Sequence, residues 1–134
     1  MTRYAIDAPT LLHLVDTGLV VDPAVQLVAP GSIRSEALGI LLREVAAGRR
    51  TDADARAAHE RITEQRIRVL NDRVSRWTAW RIARRRGWDA LRDAEHLAIA
   101  TLQADALVTV DPRLAAAAEG EVTLAPLEAL LAPG

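Results

Sequence analysis

Four acidic residues, Asp7, Glu36, Asp93 and Asp111, stand where the chain's patterning could bring carboxylates together. The stretch Leu107-Val-Thr-Val-Asp-Pro-Arg-Leu114 is the clearest case. Ala106 to Val110 form a short apolar, β-branched run and Pro112 stops it, so Asp111 falls just past the carboxyl end of a strand. The first residues repeat the arrangement: Tyr4-Ala-Ile6 reads as a strand, Asp7 follows it, and Pro9 opens a helical pattern through Leu11, Leu12 and Val15. The carboxyl edge of a parallel sheet is where α/β proteins place ligands. Asp93 opens a compact helix that leads into the Asp111 strand, and Glu36 sits near the start of the helix after a second strand.

Carboxylates drawn together repel, by about 1 kcal/mol per pair at 4 Å in water and about 4 kcal/mol at an effective dielectric near 20. A divalent cation converts that repulsion into affinity. Magnesium or manganese takes hard oxygen ligands, keeps several waters and bridges to a substrate phosphate. The implied chemistry is phosphodiester hydrolysis, in which metal activates water and neutralises the oxyanion developing at phosphorus. Each acid taken singly also has a plainer role. Asp93 can be an N-cap, Asp111 the cap before a proline at the first helical position, and Glu36 a favourable charge at a helix N-terminus. Convergence of the set at one sheet edge is what favours chemistry over capping.

The intervening chain supplies the elements that must position these acids. Val25-Gln-Leu-Val-Ala29 reads as a second strand, and Ser32 can cap a helix from Ile33 to Ala47 that Gly48 stops. A long helical region runs from Thr51 through Ala55, Ala58, Ile62 and Ile67, with Val69-Leu70 a short hinge or strand. Asn71 or Asp72 can cap a further helix to Gly87, and Asp93 to Leu102 form the next. Val122-Thr-Leu124 looks like a last strand, followed by a short helix from Leu127 to Leu131. Strands alternating with helices imply a parallel sheet covered on both faces.

Composition narrows the field. The 134 residues, half of them apolar, suffice for one core, so residues 1–134 read as a single domain. There is no cysteine, which removes thiolate chemistry and suits a reducing compartment. The first residues lack an apolar leader and no run approaches membrane-spanning length, so a cytoplasmic location is expected. All 17 basic residues are arginine. The absence of lysine excludes phosphate-loop nucleotidases, receiver domains and haloacid-dehalogenase phosphatases, which rely on a lysine near phosphate. The absence of G-x-G-x-x-G after the first strand removes the dinucleotide-binding fingerprint.

Several stretches together resemble a PIN-domain ribonuclease over the whole chain. They are Tyr4-Ala-Ile-Asp-Ala-Pro-Thr-Leu-Leu12, Ser35-Glu-Ala-Leu38, Asp93-Ala-Glu-His-Leu-Ala-Ile-Ala100, Leu107 to Leu114, and Val122 to Leu131. The 18-residue step from Asp93 to Asp111, with Thr109 before the final acid, is the most specific part. Within the family the chain is most similar to VapC-type toxins. The resemblance implies a PIN-like three-layer α/β/α domain with a central, mostly parallel sheet. It also implies a magnesium- or manganese-dependent endoribonuclease, the toxin of a type II toxin–antitoxin pair, homodimeric and held inactive by a VapB-type antitoxin. The acidic set that would hold metal and act in catalysis falls on Asp7, Glu36, Asp93 and Asp111. The chain departs from the family pattern at Pro9, where such proteins commonly carry serine or threonine. It also has no further acid between Asp111 and Glu119, with Asp89 a partial substitute or merely loop. Two alternatives remain: a non-catalytic PIN-like module that binds RNA or a protein, and a DNA-directed nuclease.

Arginine is concentrated away from these acids. Between Arg49 and Arg86 there are 12 arginines against five acids, whereas the rest of the chain has five against 13. Such helices can be solvated faces with i, i+4 partners, or a grip on RNA. In the helix from Asp72 to Arg86, counting at about 100° per residue puts Val74, Thr78, Arg81 and Ile82 near one face. Trp77 borders that face and reads as core. Arg73, Arg76, Trp80 and Arg84 form a separate stripe, with Trp80 able to stack on Arg84, that serves RNA or an interface. His13, His59 and His96 lack partners at helical spacing and read as structural or surface residues.

Overall fold

The computed structural model describes residues 1–133. β1 (Thr2–Ile6), β2 (Val25–Pro30), β3 (Ile67–Leu70) and β4 (Ala106–Val108) form one sheet in the order β3-β2-β1-β4. Every pairing between these strands is parallel, so the sheet is more uniform than the mostly parallel one expected. Six α-helices cover it: α1 (Ala8–Thr17), α2 (Ile33–Ala46), α3 (Asp52–Glu64), α4 (Arg73–Arg86), α5 (Arg92–Gln103) and α6 (Pro112–Ala118). The architecture is the three-layer α/β/α arrangement expected from the sequence.

Strand alternation divides the core. Ile6, Leu27, Ala29 and Val108 point to one face, where they meet Leu11 and Leu14 of α1, Ile33 and Leu41 of α2 and Ile62 of α3. Ala5, Val28 and Leu107 point to the other, against Ala79 and Ile82 of α4, Leu97 and Ile99 of α5 and Leu114 of α6. Each fully buried aliphatic side chain contributes roughly 1.5–3 kcal/mol of transfer free energy. The register Ala5↔Val28 and Ala5↔Leu107 keeps this sorting consistent across three strands.

Local chemistry sets the helix ends. Asp7, Thr51 and Asp72 each accept the backbone N–H three residues on, at 3.2, 3.1 and 3.2 Å, as N-caps. Gly87, at φ +71°, closes α4 in the left-handed region that a side chain would strain.

Some elements differ from the reading of the sequence. The helix after Thr51 ends at Glu64, and Ile67 belongs to β3, drawn there by pairing with Leu27. β4 stops at Val108 because the N–H groups of Val110 and Asp111 turn to the hydroxyls of Thr10 and Thr109. Val122 to Leu124 makes only one bridge to Leu107, with Pro126 unable to donate further along a ladder. The last turn is a 3-10 helix over Leu127–Leu130. In α4 the buried face is Ser75, Ala79, Ile82 and Ala83, while Val74 and Trp77 are exposed. Small side chains let α4 approach α5 through Ala94 and Ala98, and the bulky residues are left outside.

Candidate functional site

The chain leaves β1 for β2 on one side and returns to β4 on the other, so the sheet's switch point lies between β1 and β4. A crevice opens there at the carboxyl ends of the strands. Asp7 directly follows Ile6, and Asp111 is the third residue after β4.

Asp7 is 3% exposed and held from both sides. Its Oδ1 accepts the Thr10 N–H at 3.2 Å and the Thr10 hydroxyl, and its Oδ2 accepts the Thr109 hydroxyl at 2.7 Å. Both hydroxyls are themselves oriented, Thr10 Oγ1 by the Val110 N–H and Thr109 Oγ1 by the Asp111 N–H, each at 3.0 Å. The two strand ends are therefore cross-linked through one carboxylate.

Glu36 lies in the first turn of α2, one turn past Ser32. Ser32 makes no side-chain cap; its hydroxyl donates to Glu36 Oε2 at 2.7 Å instead. His96 Nε2 is 3.2 Å from Glu36 Oε1, and the ring is buried. Its Nδ1 has no partner among the described residues. With a proton on Nε2 the ring donates to Glu36. Burial pushes the Glu36 carboxyl up, but the hydrogen bond and charge of His96, the Ser32 hydroxyl and Arg92 together hold it below the ordinary glutamate value.

Asp93 is not the cap of α5; Leu91 precedes the helix and Asp93 is its second residue, with its carboxylate free to face outward from the first turn. Arg113 reaches it with Nη1 at 2.5 Å and Nη2 at 3.4 Å, and the same Nη2 is 3.5 Å from Asp111 Oδ2. Burial raises the Asp93 carboxyl, yet the hydrogen bond and charge of Arg113 bring it below the ordinary aspartate value. Arg92 adds a second cation, 3.9 Å from Glu36 and 3.8 Å from Asp93.

Asp7, Glu36, Asp93 and Asp111 line one cavity of about 180 Å³, with His96, Arg92 and Arg113 among its walls. Its donor set is oxygen-rich and anionic, the kind that suits magnesium or manganese. A guanidinium lies between two of the carboxylates, so a cation is already at home there. In this arrangement no three of the acidic or histidine side chains among the described residues stand close enough to share an ion. The residues fit a divalent ion in type and border one cavity, with Arg113 between Asp93 and Asp111.

All four acids expected from the sequence thus border one cavity, while Asp89 lines an adjoining space of about 870 Å³ that shares Arg92, Asp93 and Arg113. Two contributors escaped the sequence reading, Thr10 and Arg113. His96, one turn after Asp93 on the same helix face and read as structural or surface rather than as near substrate, is buried against Glu36. Thr10 carries the signal of a residue three beyond a capping aspartate. Arg113 carries none that separates it from the other arginines. The arginine stripe of α4 lies elsewhere: Trp80 stacks on Trp77, not on Arg84, with ring centroids 5.6 Å apart and planes 8° from parallel. Both rings are about half exposed, and they line a groove of about 590 Å³ with Arg73, Val74, Arg76, Arg81 and Leu91. Among the described residues no helix is long and apolar enough to cross a membrane.

Comparison with known proteins agrees with this geometry. No curated protein matches the chain. The chain is similar to the crystal structure of PAE2754 from Pyrobaculum aerophilum, at 25% identity and a TM-score of 0.70, over 96% of this chain and 92% of that one. Residues 15–120 match the PIN domain family, whose members are typically metal-dependent nucleases, and the chain belongs to that family.

Proposed function

We propose that the protein is a magnesium- or manganese-dependent endoribonuclease and the toxin of a type II toxin–antitoxin pair, with Asp7, Glu36, Asp93 and Asp111 as metal-binding and catalytic acids. The observation that carries this reading is the meeting of four carboxylates, from four separate elements, around one cavity at the sheet's switch point. Capping alone explains Asp7 and Asp111 but gives no reason for Glu36 and Asp93 to face the same space.

A bound divalent ion supplies a polarised water and charge neutralisation at phosphorus. The chain's own residues do the rest. Asp7, fixed by Thr10 and Thr109, presents its carboxylate without rotation. His96 and Ser32 hold Glu36 ionised at the cavity wall, able to take the proton of an attacking water. That water's oxygen forms the new P–O bond as the bond to the leaving sugar oxygen breaks, and the leaving oxygen gains a proton from solvent. Arg92 and Arg113 at the rim suit the phosphate's charge.

The toxin reading rests on the similarity of the quoted motifs to VapC-type proteins. A homodimer and a VapB-type antitoxin belong to that reading, the antitoxin tail offering an arginine to the same carboxylates. The deciding experiment pairs purified protein with single-stranded RNA and DNA, each with and without Mn²⁺. Metal-dependent cleavage of RNA, abolished by Asp111→Asn, is expected. Cleavage of DNA alone selects the DNA-directed alternative, and no cleavage with no Mn²⁺ binding selects a non-catalytic binding module. Full nuclease activity of an intact toxin–antitoxin complex overturns the toxin assignment.

A further inference from the structure

We infer that Arg113 is a built-in competitor of the divalent ion, occupying the cation position between Asp93 and Asp111 until metal displaces it. The inference rests on the metal-dependent reading above and adds a residue that the acidic set does not include. Three distances define the contact: 2.5 and 3.4 Å to the two oxygens of Asp93, and 3.5 Å to Asp111 Oδ2. A fork-to-carboxylate pair of this kind is both directional and charge-assisted.

Two features make the contact reversible. The Arg113 side chain is 61% exposed, so its guanidinium reaches water by rotation about its own stem. The adjoining space of about 870 Å³, which Arg113 also lines, gives it somewhere to go. A third feature makes the contact consequential. No three acidic or histidine side chains among the described residues stand close enough to share an ion, and Arg113 lies between two of the acids. Departure of one guanidinium uncovers the oxygens of Asp93 and clears the position between it and Asp111. Arg92 is a weaker counterpart, near Glu36 and Asp93 at 3.9 and 3.8 Å without a hydrogen bond to either.

The backbone N–H of Arg113 separately donates to Asp111 Oδ1 at 2.9 Å, so replacing the side chain leaves the cap of α6 in place. The test is calorimetric titration of Mn²⁺ into the full chain, as wild type and as Arg113→Ala, Arg113→Lys and Arg92→Ala. Losing one charge-assisted pair predicts about tenfold tighter Mn²⁺ binding by Arg113→Ala. Arg113→Lys, which keeps the charge but not the fork, falls between wild type and Arg113→Ala, and Arg92→Ala changes affinity by less than Arg113→Ala. A larger Mn²⁺-induced rise in melting temperature for Arg113→Ala than for wild type is the second readout. Equal or weaker Mn²⁺ binding by Arg113→Ala overturns the inference while leaving the metal site standing, as does an equal gain in Arg92→Ala. Absence of Mn²⁺ binding in all four proteins overturns the metal site and the inference together.

Discussion

Replacing Asp7 by asparagine separates the site's chemistry from its architecture. The carboxylate accepts three donors, two on Oδ1 from Thr10 and one on Oδ2 from Thr109. Asparagine is as good an N-cap as aspartate, so α1 keeps its start. Its single oxygen keeps the two Thr10 donors, and its amide then faces Thr109 Oγ1, whose hydroxyl must turn away to accept. Hydrogen bonds to a charged group contribute roughly 1.5–3 kcal/mol each, against about 1 kcal/mol for neutral ones. Two bonds weakened and one hydroxyl redirected therefore cost about 2 kcal/mol. Relief of repulsion with the neighbouring acids returns on the order of 1 kcal/mol at most, because Arg113 and Arg92 already sit among them. A net loss of about 1 kcal/mol lowers the melting temperature by roughly 3–6 °C for a chain of this size. Deleting a group that organises transition-state charge costs about 100–1000-fold in rate. Asp7→Asn should thus melt a few degrees early and lose nearly all Mn²⁺-dependent RNA cleavage, measured by thermal melts and a fluorogenic RNA substrate. Wild-type cleavage by this variant removes Asp7 from the catalytic set. A loss of stability beyond about 4 kcal/mol refutes the hydrogen-bond accounting.

Three further predictions concern Glu121 and the exposed side of α4. Glu121 receives Arg85 at 2.5 and 2.7 Å and Arg86 at 3.0 Å, and the hydrogen bond from Arg85 leads in holding its carboxyl below the ordinary glutamate value despite burial. A depressed folded-state value means stability that is complete above the unfolded value near 4.3 and lost as pH falls through the folded one. Glu121→Gln should be less stable than wild type by roughly 0.5–1 kcal/mol in urea at pH 7, with the gap closing below about pH 4; a gap that persists at pH 3 rules out the ion-pair explanation. In the α4 groove, Trp80→Ala should weaken binding of single-stranded RNA, at roughly 1–3 kcal/mol per stacked base, without changing the mass seen in light scattering. If it instead dissociates a dimer and leaves RNA affinity per monomer intact, the groove is an interface. Arg73→Ala and Arg84→Ala should each flatten the salt dependence of RNA binding by a slope of about 0.7 per lost phosphate contact.

The parts of the site that were legible in the sequence are those whose function coincides with a local structural duty. Asp7 and Asp111 are caps at strand ends, where apolar runs, prolines and a following helical pattern mark their positions. Their plainer role and their chemical one do not compete: the cap fixes the carboxylate that the cavity uses. For Glu36 and Asp93 patterning marks only a place near the start of a helix beside the sheet edge, and likeness to a family strengthens it, since nothing local says which way the first turn of a helix looks. What brings them to Asp7 is the strand order β3-β2-β1-β4, a long-range property.

The same distinction explains the misreadings. In α4, counting at about 100° per residue put Val74 on the face of Ile82 with Trp77 at its border as core, whereas close approach to α5 selected Ser75, Ala79 and Ala83. Amphipathic counting finds a period, but the residue opposite decides which phase of it is buried. His96 and Arg113 fall in the same class, because a histidine in a helix and an arginine after a proline acquire meaning only from the carboxylates they meet, Glu36 across 60 residues and Asp93 across 20. The acids of this cavity are written in the chain's local pattern and its family likeness; the cations that hold them ready are written only in the fold.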